Sequence, residues 1–471
     1  MLFSTYVFIF GFLPITLLGF YLIPMKRVQL GFLFVCSTVF YSYWSFKYVF
    51  CLLFTVLIDF FIARAIFNSP RQKNRKILLA TSICANLFLL GFFKYYDLFS
   101  ETINSIANEV GHSNNLLPIF HFVLPIGISF YTFQSMSYVI DVYRRHSTAH
   151  ADLLSFAAYV TLFPHQISGP LVRHNNIIPQ LKNDKTYSFH VENFWKGFCF
   201  FVFGLSKKIL IADLLAAAVA PLVTNMSLIS NLEAWLAILG YSMQLYFDFS
   251  GYSDMAVGLG FMLNIQFPQN FNSPYKSRSI TEFWQRWHIS LSSWLRDYLY
   301  ISLGGNRSNG LKTYRNLLLT MVIGGLWHGA NWTFAIWGLF HGLLLSIERF
   351  FSDAKNKTRP RGISHWILTF FLVNLGWIFF RAPQFSTALI WLRKIFFVTP
   401  QVSLDLASIS LRHKDRFFFA LALSLILALF AKNTWQIQFR SNKIFAVSTG
   451  ILFSICLLYL GQESPFLYYQ F

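Results

Sequence analysis

Ionisable residues are scarce in this chain. Only 12% of its 471 residues are charged and 55% are hydrophobic, more apolar surface than a soluble core of this size can hide. That excludes a soluble globular protein and leaves a polytopic membrane protein. Acidic residues are scarcer still, 19 Asp and Glu against 38 Lys and Arg, for a net charge of +19. The excess is not gathered into a dense basic patch, so nucleic acid is not an expected partner. The basic residues instead fall in short connectors between apolar runs, where they act as topology signals. Cys36, Cys51, Cys84, Cys199 and Cys456 stand singly in apolar runs without a CxxC spacing. That excludes a redox pair or a cysteine metal site and predicts small buried hydrophobes.

Several catalytic signatures are missing as well. No His is followed five positions later by Asp, so the glycerolipid-type HxxxxD acyltransferase signature is absent. Gly251-Tyr252-Ser253-Asp254-Met255 lacks the second glycine of a nucleophile elbow. There is no P-loop, no dinucleotide fingerprint and no HExxH. A serine hydrolase, an ATP-driven pump and a zinc enzyme are therefore not expected, and no metal is assigned. No internal repeat of the transporter kind and no low-complexity tract is visible. The first 24 residues have neither a basic start nor a small-residue cleavage site, and they read as a retained helix.

What is present is a series of apolar runs long enough to cross a hydrocarbon core, each needing roughly 20 helical residues. Without the alternation of barrel strands, they predict an all-α polytopic membrane protein with about eleven transmembrane helices plus re-entrant or interfacial helices. Residues 2–23 form one run kinked by Pro14, and residues 29–67 form two helices parted at Ser45-Phe46-Lys47. A fourth helix runs from Ile77 to Phe93, with an outer connector from Tyr95 to Leu117. Lys26, Arg27, Arg71, Lys73, Arg75, Lys76, Arg144 and Arg145 alternate with that acidic connector, placing the N-terminus outside. The helix after Gly127 carries polar residues on one side, as beside a cavity, and Phe163–Pro170 reads as re-entrant. Later helices are expected near Phe194–Leu210, Ala234–Phe249, Leu317–Leu345, Trp366–Phe380, Phe417–Phe430 and Phe445–Leu460.

Function is sought between Tyr246 and Trp337, where polar groups interrupt apolar sequence. An ionisable group at bilayer depth costs about 2.5–3.5 kcal/mol on insertion scales, so such groups mark a cavity or pathway. His328 lies in Gly324-Gly325-Leu326-Trp327-His328-Gly329-Ala330-Asn331-Trp332. Glycines there let a backbone or a ligand approach, and an imidazole in apolar surroundings suits proton abstraction from a hydroxyl; a packed, hydrogen-bonded histidine is the bland alternative. His288 falls among Trp284, Trp287, Leu291 and Trp294, whose spacing predicts one amphipathic helix. It is either an interfacial histidine or a partner of His328 across a cavity. Asp248 and Asp254 flank Gly251, where the helix is expected to break. They bind an ion, pair with Arg286 or Arg296, or cap a helix start. His341 and Glu348 read as packing or helix-end residues.

Taken together, these residues resemble the membrane-bound O-acyltransferase family, and most closely its bacterial branch that includes the membrane subunit of alginate O-acetyltransferase. The likeness covers nearly the whole chain. It is carried by Leu124–Phe130, Tyr138–Arg144, Gly169–Arg173, Phe247–Asp254, Trp294–Ile301, Leu303–Arg307, the His328 block and the closing Pro465–Tyr468.

The resemblance implies one integral-membrane domain over residues 1–471, enclosing a funnel. The family's invariant histidine matches His328 and its second position matches His288, with Trp327, Asn331, Asp248 and Asp254 positioning groups around them. Arg286 and Arg296 either attract an anionic donor or polymer or serve topology. An acyl group would pass from a cytoplasmic donor, acetyl-CoA or another acyl carrier with no cofactor held, to a hydroxyl outside. Membrane lipid and a polysaccharide acceptor are implied partners: alginate-type exopolysaccharide first, peptidoglycan as the alternative. A periplasmic or extracellular acetyltransferase partner and residence in the bacterial inner membrane are implied too. The competing classes are a transporter using the aspartates and histidines as a relay, and a non-catalytic scaffold.

Overall fold

In lipid, each backbone N–H and C=O must be satisfied within its own segment, and helices do this locally. The computed structural model describes residues 1–112, 114–307, 310–354, 362–397, 414–461 and 467, and among them no strand occurs. The all-α architecture expected from composition is the one observed among the described residues. Among the described residues, Phe46–Asn68, Gln72–Glu109, Trp332–Phe351 and Ile363–Arg381 are long and apolar enough to cross a membrane. Val7–Leu22, Arg416–Leu429 and Lys443–Leu458 are shorter apolar helices. Of the closing Pro465–Tyr468 motif, only Leu467 lies within the described residues.

The chain divides into two units. The first comprises Met1–Gly197 with Leu259–Phe267. It contains α1 (Leu13–Leu22), α2 (Lys26–Ser42), α3 (Val49–Asn68), α4 (Gln72–Glu109), α5 (Ile128–Tyr143), α6 (Leu153–Thr161), α7 (Phe163–Gln166), α8 (His174–Lys182) and the start of α9 (Val191–Ser206). Pro14 has no N–H to donate, and the chain accommodates it with a wide π turn at Val7–Phe12 leading into α1. The break between α2 and α3 falls where Ser45-Phe46-Lys47 places it.

Helix α4 is longer than expected, continuing from the apolar run through Lys94 to Glu109. Asp97, Glu101 and Glu109 make that stretch look like a connector, but Leu98, Asn104 and Ala107 keep an inward face at helical spacing. Asn104 then grips the main chain of Leu117 with both ends of its amide, at 2.9 and 3.0 Å. Between α3 and α4, the buried Asp59 carboxylate accepts from Ser82 Oγ at 2.6 Å and from Asn86 Nδ2 at 2.9 Å. Helix α5 starts from Gly127 at φ +72°, where a Cβ would lie 2.4 Å from the carbonyl oxygen of Gln166. Only glycine fits that turn against α7, and the polar face of α5 then reaches inward through Gln134, hydrogen-bonded to His165 Nδ1 at 3.0 Å.

The second unit comprises Phe198–Gly258 with Pro268–Phe471. Here α9 passes through a π turn, Lys207–Ala212, into α10 (Asp213–Thr224), and α11 (Asn231–Met262) follows. The expected break at Gly251 is absent: α11 runs straight through it. Its role is a close crossing instead. A Cβ on Gly251 would sit 2.7 Å from the Gly204 carbonyl oxygen, and one on Gly204 would sit 2.5 Å from that of Gly251.

The single helix expected over Trp284–Trp294 is two short ones, α12 (Ile280–Arg286) and α13 (Ile289–Trp294), parted at Trp287 and His288. Then come α14 (Gly310–His328), α15 (Trp332–Ala354), α16 (Ile363–Arg381), α17 (Phe385–Phe396), α18 (Lys414–Leu429) and α19 (Lys443–Leu458). The run expected at Leu317–Leu345 thus divides at Gly329–Asn331. Helices α14 and α15 touch backbone to backbone, because a Cβ on Gly338 would lie 2.2 Å from Met321 O and one on Gly325 2.2 Å from Phe334 O.

Candidate active site

His288 is held in the left-handed region at φ 42°, the point where the chain turns from α12 into α13. A side chain there is strained unless its surroundings fix it, and Asn270 does so. Its backbone carbonyl accepts from Ile289 N at 2.9 Å. Its side-chain oxygen accepts from Ser290 N at 3.2 Å and Ser290 Oγ at 2.8 Å, and lies 3.2 Å from His288 Nδ1. The Ser290 backbone N–H can only donate, so that Asn270 atom is an oxygen. His288 Nδ1 must then carry the proton in the neutral ring, which puts the lone pair on Nε2. Asn270 is itself anchored through Nδ2 to Ser253 Oγ at 3.2 Å.

His328 is the last residue of α14 and is buried. Its ring centroid is 6.4 Å from that of His288. Trp327 lies against both, 5.0 Å from His328 and 6.0 Å from His288. Trp337 and Phe380 each approach His328 at 5.2 Å, and Phe249 meets His288 edge-on at 4.7 Å. The structure therefore brings together the two histidines and the tryptophan expected from sequence, inside one wall of aromatic rings. Of the glycines around His328, Gly325 and Gly329 serve the α14–α15 contact, while Gly324 faces Leu295. Gly329 abuts Phe334, whose ring would be 2.2 Å from a Cβ.

The aspartates do not pair as expected. Asp248 binds Lys208 Nζ at 2.6 Å and accepts from Leu467 N at 3.0 Å. Lys208 also binds Asp213 at 2.7 Å. Asp254 binds Lys207 Nζ at 2.5 Å and accepts from Thr434 Oγ1 at 2.6 Å. With α11 unbroken, neither caps a helix start; the π turn after α9 aims two consecutive lysines at α11, and this corrects the expected pairing with Arg286 or Arg296. Arg286 binds Glu282 at 2.7 Å and donates to Asn272 O at 3.2 Å, while the exposed Arg296 binds Asp297 at 2.7 Å. Asn331 caps α15, accepting from Thr333 N at 2.9 Å and donating to Pro383 O at 2.9 Å.

Asn270, Trp337, Lys207 and Lys208 are absent from the expected set. The lysine pair carried a usable signal, two adjacent charges in an apolar run. Asn270 carried none. Glu348 behaves as a helix-end anchor, accepting from Thr281 N at 3.1 Å. Cys36, Cys199 and Cys456 are buried as expected, whereas Cys51 is half-buried and Cys84 faces outward from α4.

Two imidazoles buried side by side among aromatic rings have the chemistry to take a proton from a hydroxyl and to hold the charge that develops. The sequence matches the membrane-bound O-acyltransferase family over residues 33–383, a span that includes both histidines. The chain belongs to this family. It is an acyltransferase and a membrane protein. It is 45% identical over 391 residues to the probable alginate O-acetylase of Pseudomonas aeruginosa, covering 82% of this chain and 73% of that one. It is 36% identical over 522 residues to the peptidoglycan O-acetyltransferase of Helicobacter pylori, covering 100% and 98%. A more distant likeness, 28% over 277 residues, is to the teichoic acid D-alanyltransferase of Bacillus subtilis, covering 55% and 69%.

Proposed function

We propose that this acyltransferase passes an acetyl group from a cytoplasmic donor, acetyl-CoA or another acyl carrier, across the membrane towards hydroxyls of an exported or cell-surface polysaccharide. The observation that carries the reading is the His288–His328 pair, 6.4 Å apart between ring centroids, packed among Trp327, Trp337 and Phe380. His328 takes the proton of the attacking hydroxyl, or otherwise assists transfer. His288, with its lone pair on Nε2, accepts a hydrogen bond from that hydroxyl or from the imidazolium once formed. Trp327 keeps the chamber dry and fixes the separation of the rings. Asn331 sets the start of α15, and Asp248 and Asp254 tie α11 to the lysine pair. Of the two arginines, the exposed Arg296 is the better placed to draw an anionic donor or polymer.

Alginate-type exopolysaccharide is the favoured acceptor, since relatives named for alginate share 45% identity. Peptidoglycan is the second reading, supported by the relative whose match extends over 100% of this chain. A periplasmic or extracellular acetyltransferase completes the transfer in either case. We read residues 1–471 as one catalytic membrane domain, because the family match runs across the boundary between the two units. Its setting is the bacterial inner membrane, in a multi-pass arrangement of about eleven crossings around a funnel.

The test is polymer-bound O-acetyl ester released by mild base, assayed separately on exopolysaccharide and on purified peptidoglycan. Cells carry wild-type protein or His328→Ala at matched membrane abundance. Ester lost from one fraction names the acceptor; ester unchanged in both removes His328 from the mechanism and favours a transporter or scaffold.

A further inference from the structure

His341 lies on α15 one turn beyond Trp337 and is completely buried. Neither Nδ1 nor Nε2 has a hydrogen-bond partner among the described residues. The same is true of the indole nitrogens of Trp284 and Trp337. These three rings form a triangle with sides of 5.1 Å (Trp337–His341), 5.3 Å (Trp284–His341) and 5.6 Å (Trp284–Trp337). Trp337 is also the ring that meets His328 at 5.2 Å, perpendicular to it. The triangle and the candidate base thus share a wall.

Room for an imidazole here is made by Gly376 on α16, where a Cβ would come within 2.8 Å of His341 Nε2. A phenylalanine would fill the same space among Phe283, Phe340 and Trp377 without burying polar atoms. Burying a donor and an acceptor unsatisfied is unfavourable, and doing so beside two unsatisfied indole N–H groups compounds it. A ligand whose polar atom reached these rings would supply the missing partner. Indole nitrogens only donate, a neutral imidazole contributes one further N–H, and none of the three rings carries an anionic acceptor. A donor-rich, carboxylate-free group of this kind suits an oxygen that only accepts.

We propose that His341, with the indole N–H groups of Trp284 and Trp337, binds the carbonyl oxygen of the acyl thioester and stabilises the negative charge it acquires during transfer. The inference rests on the acyl-transfer reading above. In the step, the acceptor hydroxyl oxygen bonds to the carbonyl carbon while its proton passes to His328. The C=O π electrons move onto the oxygen held by these donors. Collapse restores the carbonyl, breaks the C–S bond and expels a thiolate, which takes the proton from His328. Donors aimed at such an oxygen act most strongly when its charge has developed.

The experiment compares initial rates of polymer O-acetyl ester accumulation in cells carrying wild-type, His341→Phe, His341→Gln or His328→Ala protein at matched membrane abundance. Phenylalanine keeps the ring packing and removes both nitrogens; glutamine packs worse but restores a donor. We expect His341→Phe to lose about 100-fold, with unchanged thermal unfolding in detergent, and His341→Gln to recover part of that loss. A packing role predicts the opposite order. His341→Phe as active as wild type, or more active than His341→Gln, overturns the proposal. If His328→Ala is inactive while His341→Phe is fully active, only this inference falls; if His328→Ala keeps its activity, the acyl-transfer reading of the site falls with it.

Discussion

Replacing Asn270 with alanine is the sharpest probe of how the chamber is organised, because it leaves both histidines in place. The substitution removes the oxygen that accepts from His288 Nδ1–H, Ser290 N and Ser290 Oγ, and the Nδ2 donor to Ser253. Ser290 Oγ can rotate towards other acceptors, but the His288 N–H sits on a ring that is entirely buried. Leaving a buried donor unsatisfied costs about 1–3 kcal/mol. The ring escapes that cost by rotating or by moving its proton to Nε2, and either change removes the lone pair facing the reaction. Expressed as a barrier, the same range is roughly a 5- to 150-fold loss of rate. Asn270→Asp keeps an acceptor for both N–H groups and should retain more activity than Asn270→Ala. Ester formation at matched abundance checks this order. Wild-type activity in Asn270→Ala, or an aspartate variant no better than alanine, would refute the tautomer argument.

The α14–α15 contact should be equally sensitive at Gly338. A Cβ there lies 2.2 Å from Met321 O, so Gly338→Ala must push the helices apart at a cost of about 1–3 kcal/mol. Ester formation should drop while His328 is chemically intact, and a variant matching wild type in both unfolding midpoint and activity would count against that close approach. Lys208→Met leaves the buried Asp248 and the half-buried Asp213 without their shared cation, which should destabilise by about 3 kcal/mol. Adding Asp248→Asn to that variant should return part of the loss in unfolding midpoint, because one buried charge is then removed; no recovery would argue that Lys208 acts elsewhere.

The two histidines stand out in the sequence for a reason rooted in energy: an imidazole amid tryptophans and glycines in an apolar run has few inexpensive explanations. Their proximity does not stand out. It depends on the chain reversing at His288 in a left-handed conformation, which the helical spacing of Trp284, Trp287, Leu291 and Trp294 conceals. Gly251 misleads in the same way. A glycine within a polar stretch reads as a helix break, yet Gly251 and Gly204 are a matched pair whose missing Cβ atoms allow two helices to cross, and the pairing is 47 residues apart in sequence. The Asp248 and Asp254 partners are hidden by topology too, since adjacent Lys207 and Lys208 both reach α11 from a π turn that the sequence does not announce.

These buried charges and the aromatic chamber divide the work of the second unit. A lysine–aspartate network across the π turn, α10 and α11 is costly to desolvate and therefore fixes geometry more than it adds stability. Asp248 extends that fixing to the main chain at Leu467. From α11, Ser253 reaches Asn270, and Asn270 reaches His288. The motif Phe247–Asp254 thus connects to the imidazole through side chains drawn from two of its polar positions: Asp248 anchors the helix and Ser253 starts the relay. On this account the aspartates need not touch substrate to matter. Their loss should misplace His288 through Asn270, and should therefore resemble Asn270→Ala more closely than His328→Ala.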